Sequence, residues 1–228
     1  MDNYSGKTCS RDTLMHIFNS LYSHFGPRHW WPGETQLEVV VGAILTQSVS
    51  WRNVEKAIGN LKGKGLLCVR ALHDVPMAEL EQAVVPTLYF RMKARKLKAF
   101  MGHLVNVYDA SLDSMFGQPL ASLRQELLSI YGIGPETADS ILLYAGNYPI
   151  FVVDAYTRRI FARLGLLAET ATYQEMQHFF MTRLTEDVEL FNEYHALIDA
   201  LGNRVCLARK PKCSECPLSA GCPSRQPC

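Results

Sequence analysis

The stretch Tyr131-Gly132-Ile133-Gly134-Pro135-Glu136-Thr137-Ala138 lies between two apolar segments, Leu120 to Ile130 and Glu136 to Ala145, each with helical periodicity. Two glycines two positions apart admit backbone angles closed to other residues. A proline directly after them suits the first turn of a new helix. The pattern predicts a helix, a glycine hairpin over about residues 131–136, and a second helix whose leading N–H groups face outward. Such groups carry partial positive charge and receive a phosphate well. Ile133, between the glycines, can anchor the turn inward. A plain helix–helix connection would use the same residues.

Most of the remaining chain repeats with the same period. Arg11 to Tyr22, Asn53 to Leu61, Met77 to Val85, Arg91 to Val107, Ala155 to Leu164, Tyr173 to Leu184 and Leu190 to Cys206 read as amphipathic helices. Thr35 to Thr46 is apolar almost all round and reads as a central buried helix. The apolar run Phe151 to Val153 is too short to build a sheet, so the predicted class is all-α. The chain has 228 residues, 48% of them apolar and 20% charged, which describes a globular protein of one large or two small domains. Its breaks, at Gly26-Pro27, Pro32-Gly33, Gly132 to Pro135 and Gly146 to Pro149, are tight rather than linker-like.

The apolar run Val39 to Leu45, with Gly42 inside it, is far short of the ~20 residues of a membrane helix. The polar start, Met1 to Asp12, does not resemble a secretory signal. The expectation is a cytoplasmic protein with no membrane partner. The formal net charge is +1, so an anionic polymer would have to be met by locally concentrated basic residues.

Asp154 ends the run Phe151-Val152-Val153 and begins a helix, 18 positions after Glu136. An aspartate fills an N-cap well; it can also present a carboxylate that stabilises a cationic sugar. The two roles are compatible. Of the seven cysteines, five lie in the last 23 residues, and the chain shows no disulfide framework. Cys206-x6-Cys213-x2-Cys216-x5-Cys222 places four thiolates within 17 residues, enough to wrap one inorganic centre. Zinc is the competing reading, although structural zinc usually shows two short Cys pairs and here only Cys213/Cys216 qualifies. Cys9, Cys68 and Cys228 are left over. From Asn203 to Cys228 the chain carries five Arg or Lys and one Glu, with Arg209, Lys210 and Lys212 inside the cysteine loop. Arg91, Lys93, Arg95, Lys96 and Lys98 form a second basic run, readable as a phosphate-binding patch or as a solvated helix face.

Hairpin, following loop, Val-Asp and cysteine spacing together resemble the endonuclease III superfamily of DNA glycosylases. The resemblance covers roughly Phe25 to Cys222. It implies a two-lobed helix–hairpin–helix fold, with a C-terminal [4Fe-4S] loop held by Cys206, Cys213, Cys216 and Cys222. It implies Asp154 as the catalytic carboxylate. It also implies phosphate contacts from Gly132, Gly134 and Thr137 and from the basic loop, and a monovalent cation held by hairpin carbonyls. The partner it implies is damaged double-stranded DNA, engaged by a monomer associated with the nucleoid.

Many members of this superfamily carry a lysine in the second hairpin helix that attacks the sugar and cleaves the strand. That position is Glu136 here, and a carboxylate cannot form a Schiff base. No lysine lies between Tyr131 and Leu166. A monofunctional glycosylase is expected, with water as nucleophile and an oxocarbenium-like sugar opposite Asp154. All three tryptophans fall in His29-Trp30-Trp31-Pro32-Gly33 and Ile44-Leu45-Thr46-Gln47-Ser48-Val49-Ser50-Trp51. An extruded base needs aromatic faces, and a cationic alkylpurine over tryptophan is favoured by roughly 0.5–2 kcal/mol; Trp30, Trp31 and Trp51 would serve equally as core residues. These segments and the hairpin resemble the bacterial 3-methyladenine DNA glycosylase branch. That resemblance implies a base pocket of Trp30, Trp31, Pro32, Trp51 and Glu136, with Gln47 as the wedge filling the gap left by the base. Members of that branch need not carry the iron–sulfur loop, so this chain departs from them. The expected domains are residues 31–145, with the hairpin, and residues 1–30 plus 146–228, with Asp154 and the cysteine loop. The alternatives are a glycosylase for uracil, hypoxanthine or an oxidised base, one with lyase activity at abasic sites, and a non-catalytic iron–sulfur DNA-binding protein.

Overall fold

A computed structural model describes residues 10–28 and 30–226. Cys9, His29 and Cys228 lie outside the described residues. The helices are α1 (Arg11–Phe25), α2 (Gln36–Leu45), α3 (Trp51–Gly63), α4 (Val69–Asp74), α5 (Met77–Val84), α6 (Phe90–Tyr108), α7 (Leu112–Phe116), α8 (Leu120–Ser129), α9 (Pro135–Ser140), α10 (Ala155–Arg163), α11 (Tyr173–Met181) and α12 (Val188–Arg204). Short 3-10 turns and one π-helical turn complete the described residues, which contain no strand. The chain is all-α, in keeping with its periodicity. Two short helices, α4 and α7, escaped the sequence reading because one turn of apolar residues gives no period to detect.

Two compact units divide the chain: Trp31–Tyr148, and Met1–Trp30 with Pro149–Cys228. In the first, α2 is the hub. Thr35 caps it by accepting the Glu38 N–H at 3.2 Å, and Val40, Val41, Ile44 and Leu45 are all 0% exposed. Each such side chain contributes about 1.5–3 kcal/mol by leaving water. Helices α3, α6 and α9 and the π turn surround it. The basic run of α6 is not one exposed patch. Arg91 and Arg95 face solvent, but Lys93 is 3% exposed, because it falls on the same face as the buried Ala94, Leu97 and Phe100.

The second unit is built on α10 and α12, which pack together, with α1 laid against α12. Its core is aromatic. Phe151 stacks on Phe180 with ring centres 4.1 Å apart, and Tyr194 meets Phe18, Phe151 and Phe180 edge-on. The Tyr194 hydroxyl donates to the Leu14 carbonyl at 2.8 Å, tying α12 to α1. Phe151, Val152 and Val153 are buried in this unit. Their extended run brings the chain from the core to Asp154.

Candidate functional site

The hairpin joins α8 to α9 through Ile130–Gly134. Gly132 has φ +81°, and a Cβ there would run into the aliphatic stem of Lys96, so the position requires glycine twice over. Ile133 is 4% exposed, its N–H bonded to the Ile130 carbonyl at 3.1 Å, and so anchors the turn inward as expected. Gly134 is the N-cap of α9 and, having no side chain, leaves the helix start without a side-chain cap; open space lies beside it. Pro135 fills the first turn. Arg124 of α8 clamps the fully buried Asp139 of α9 with bonds of 2.7 and 3.0 Å, fixing the two helices against each other. Gln47, at the end of α2, donates to the Thr137 hydroxyl at 2.7 Å and to the Gly132 carbonyl at 3.3 Å, and accepts from the Lys96 ammonium. Burial lowers the pKa of Lys96. Gln47 and the buried Thr137 hydroxyl are thus engaged with the hairpin itself, while Glu136 is exposed on the first turn of α9.

Beyond Ser140 the second hairpin helix does not stay α-helical as its period predicted. Residues Ile141–Ala145 widen into a π turn, with the Gly146 N–H reaching the Ile141 carbonyl at 3.1 Å. Such turns recur at functional sites. Here the turn carries Tyr144, whose ring centre lies 5.0 Å from that of Trp31; Trp31 in turn meets Trp51 edge-to-face at 5.1 Å. Gly42 of α2 makes room for both tryptophans, since a Cβ there would stand 3.2 Å from Trp31 and 3.3 Å from Trp51. Trp51 donates to Glu55 at 3.0 Å. The structure therefore brings Trp31, Trp51 and Tyr144 together in the unit Trp31–Tyr148, next to the exposed Pro32; Trp30 belongs to the other unit. Tyr144 went unnoticed in sequence, where an aromatic in an apolar helix reads as core.

A second feature was also missed. The turn after α5 ends in Leu88 and Tyr89, 56% and 75% exposed, with φ of 54° and 43°. Met92 and Tyr131, both exposed, stand beside it, and the Tyr131 hydroxyl lies 3.2 Å from the Met92 sulfur. This is an exposed apolar tip adjoining the hairpin.

In the other unit, Asp154 is the N-cap of α10 within a capping box. Its Oδ1 accepts both the Thr157 N–H at 2.7 Å and the Thr157 hydroxyl at 2.8 Å. Among the described residues no donor reaches Oδ2. Oδ1 thus holds the start of the helix. Facing it from α12 is a polar run: His195 contacts the Val152 carbonyl at 3.0 Å, and Tyr156 donates to Asn203, which donates to Asp199. Burial, and then the neighbouring carboxylates Asp199 and Asp154, push the Tyr156 hydroxyl up.

Cys206, Cys213, Cys216 and Cys222 are free thiols, all half-buried, and line one small cavity together with Arg163 and Lys212. Burial, followed by the charges of the other three cysteines, pushes the Cys216 thiol up to about 11. Four thiols that repel one another as thiolates fit a cationic inorganic centre, which would relieve both penalties. No group of three or more His, Cys, Asp or Glu among the described residues is arranged to hold a single metal ion. Arg163 donates to the Cys206 sulfur at 3.2 Å and to the Leu207 and Ala208 carbonyls, and Arg159 to the Cys206 and Gly202 carbonyls. These two arginines moor the loop on α10. Arg209, Lys210 and Lys212 point to solvent from it, whereas Cys68 is an exposed thiol elsewhere.

Residues 41–186 match the HhH-GPD superfamily of base excision DNA repair proteins, and residues 206–222 match the iron–sulfur binding domain of endonuclease III. The chain belongs to the HhH-GPD superfamily and is a DNA N-glycosylase with an iron–sulfur binding motif. It is 42% identical over 215 residues to MJ1434 of Methanocaldococcus jannaschii, named provisionally as a DNA repair glycosylase, covering 94% of this chain and 97% of that one. Endonuclease III of Sulfolobus acidocaldarius is 34% identical over 130 residues, 57% of this chain and 55% of the relative. Among solved structures, the H. pylori 3-methyladenine DNA glycosylase MagIII bound to 1,N6-ethenoadenine superposes with a TM-score of 0.76 at 25% identity, over 86% of this chain and 98% of that one. A trapped endonuclease III–DNA covalent intermediate shares the fold, with a TM-score of 0.82 at 22% identity over 95% and 97%. No helix among the described residues is long and apolar enough to cross a membrane.

Proposed function

We propose that this glycosylase is monofunctional and releases an alkylated purine such as 3-methyladenine from duplex DNA. The observation that carries the reading is Glu136, exposed on the first turn of α9 where a lyase needs an amine. The C1′–N bond breaks with its electron pair leaving on the base. Asp154, through Oδ2, stabilises the sugar cation and takes a proton from the water that bonds to C1′. A cationic alkylpurine leaves as a neutral base, so no general acid is required, which suits a site with one open carboxylate. Trp31 and Trp51, with Pro32 and Glu136, form the proposed base pocket; the Trp31–Trp51–Tyr144 group over Gly42 supports it.

Gly132, Gly134 and the backbone of Thr137 hold one proposed phosphate contact, and Arg209, Lys210 and Lys212 make separate phosphate contacts from the cysteine loop. Hairpin carbonyls complete a monovalent-cation site once a phosphate is bound. Cys206, Cys213, Cys216 and Cys222 hold a [4Fe-4S] cluster whose work is to shape the basic loop. Gln47 is the proposed wedge, freed from Thr137 as DNA enters, and the exposed Leu88–Tyr89 tip is a second duplex contact, since apolar side chains at such tips part stacked bases.

One observation favours a second reading. Lys96 packs on Gly132, and burial biases it toward the free amine; it could serve as a lyase nucleophile from outside the hairpin. Borohydride trapping on abasic duplex separates the two. The proposed enzyme gives no covalent adduct; an adduct lost in Lys96→Met would establish the lyase instead.

A further inference from the structure

One buried ionisable side chain plays no part in this chemistry: Lys93 of α6, 3% exposed. A lysine withdrawn from water is costly unless its charge is met. Burial, and then the charge of Lys96, lower its pKa to about 8. Its ammonium donates to the Thr87 carbonyl. Thr87 is itself 0% exposed, and its hydroxyl donates to the Val84 carbonyl at 2.7 Å. The residues that follow are Leu88 and Tyr89, two consecutive non-glycine residues with positive φ and with outward-facing side chains. Backbone of this kind persists only where its surroundings impose it, and it gathers at functional sites. The buried root of the tip is thus bonded to a lysine, and its exposed end is apolar.

We propose that Lys93 is a positioning residue: its bond to the Thr87 carbonyl holds Leu88 and Tyr89 in the strained, outward form that enters the base stack of duplex DNA. The assignment rests on the reading of the Leu88–Tyr89 tip as a duplex contact. Without the bond, the turn relaxes toward ordinary negative φ and the tip withdraws, while the hairpin and the basic loop still bind phosphate.

The test needs no knowledge of the damaged base. A duplex carrying a tetrahydrofuran abasic analogue, with 2-aminopurine in the opposing strand, reports unstacking by fluorescence. The full-length protein is compared with Lys93→Met, with the tip variant Leu88→Ala/Tyr89→Ala, and with all three changes combined. Lys93→Met and the tip variant should each lower the fluorescence gain at least fivefold, with Kd for the same duplex changed less than threefold. The combined variant should be no worse than the tip variant. Should Lys93→Met lose helical circular dichroism, Lys93→Leu, which likewise carries no donor, takes its place. A wild-type fluorescence gain in the Lys93 variant, or a loss that adds to that of the tip variant, overturns the positioning role alone. A tip variant with the full gain overturns the duplex-contact reading, and the assignment of Lys93 with it.

Discussion

The hairpin Ile130–Gly134 and the tip at Leu88–Tyr89 are both tight turns that lead into a helix of the same unit, yet they meet the problem of positive φ in opposite ways. The hairpin places glycine at the demanding position, Gly132, and its surroundings hold it from three sides: Gln47, Lys96 and the Arg124–Asp139 clamp. The tip places leucine and tyrosine there and is held at its root by Lys93. Strained residues of this sort cost about 1–3 kcal/mol each. A turn that needs only its backbone can use glycine. A turn that needs its side chains cannot, and the strain stays in the folded state.

The contrast can be broken in several ways. The largest effect should come from Arg124→Ala, which strips the buried Asp139 of both guanidinium bonds; a stability loss of about 3 kcal/mol is expected, read by urea unfolding. Gly132→Ala should follow, losing about 1–3 kcal/mol from positive φ and the clash with Lys96, with DNA affinity falling in parallel. Leu88→Gly should move the two properties in opposite directions. Relief of strain, less the greater chain entropy of glycine, should leave stability unchanged or raised by up to about 1 kcal/mol, while base release falls. Equal losses at Gly132 and Leu88 would erase the distinction drawn between the turns. The smallest effect concerns pH. The Lys93 pKa is lowered to about 8 by folding, so between there and its unfolded value near 10.4 the unfolded chain binds more protons. Stability should therefore gain with rising pH over that window. Lys93→Met should remove this contribution, measured as the difference in pH slope between the two proteins.

The same pair shows which parts of the molecule could be read in advance. Gly132, Gly134 and Pro135 announced their turn because each residue type has few other uses. Asp154 was legible as an N-cap because aspartate fills that position well, and the four cysteines were legible from spacing. The tip was not legible, since nothing in Thr87-Leu88-Tyr89 marks positive φ in the way glycine or asparagine does. Lys93 was read with a basic run because composition says nothing of which face a side chain takes; the apolar period of α6 already contained it. The π turn escaped because one extra residue in a helix leaves a local period almost unchanged, and so Tyr144 was not connected to Trp31. Gln47 was singled out as a wedge, and its bonds to Thr137, Gly132 and Lys96 could not be anticipated from a residue 85 positions away from the hairpin glycine.

The most direct test of the central claim is release of base from methylated duplex DNA, with strand breaks scored before and after alkali, for the wild type and Asp154→Asn. Free 3-methyladenine, breaks only after alkali, and loss of release with DNA binding kept in Asp154→Asn are the predicted result. No alkylated base released by the wild type would contradict the substrate reading, breaks without alkali the monofunctional mechanism, and full activity in Asp154→Asn the role given to that carboxylate.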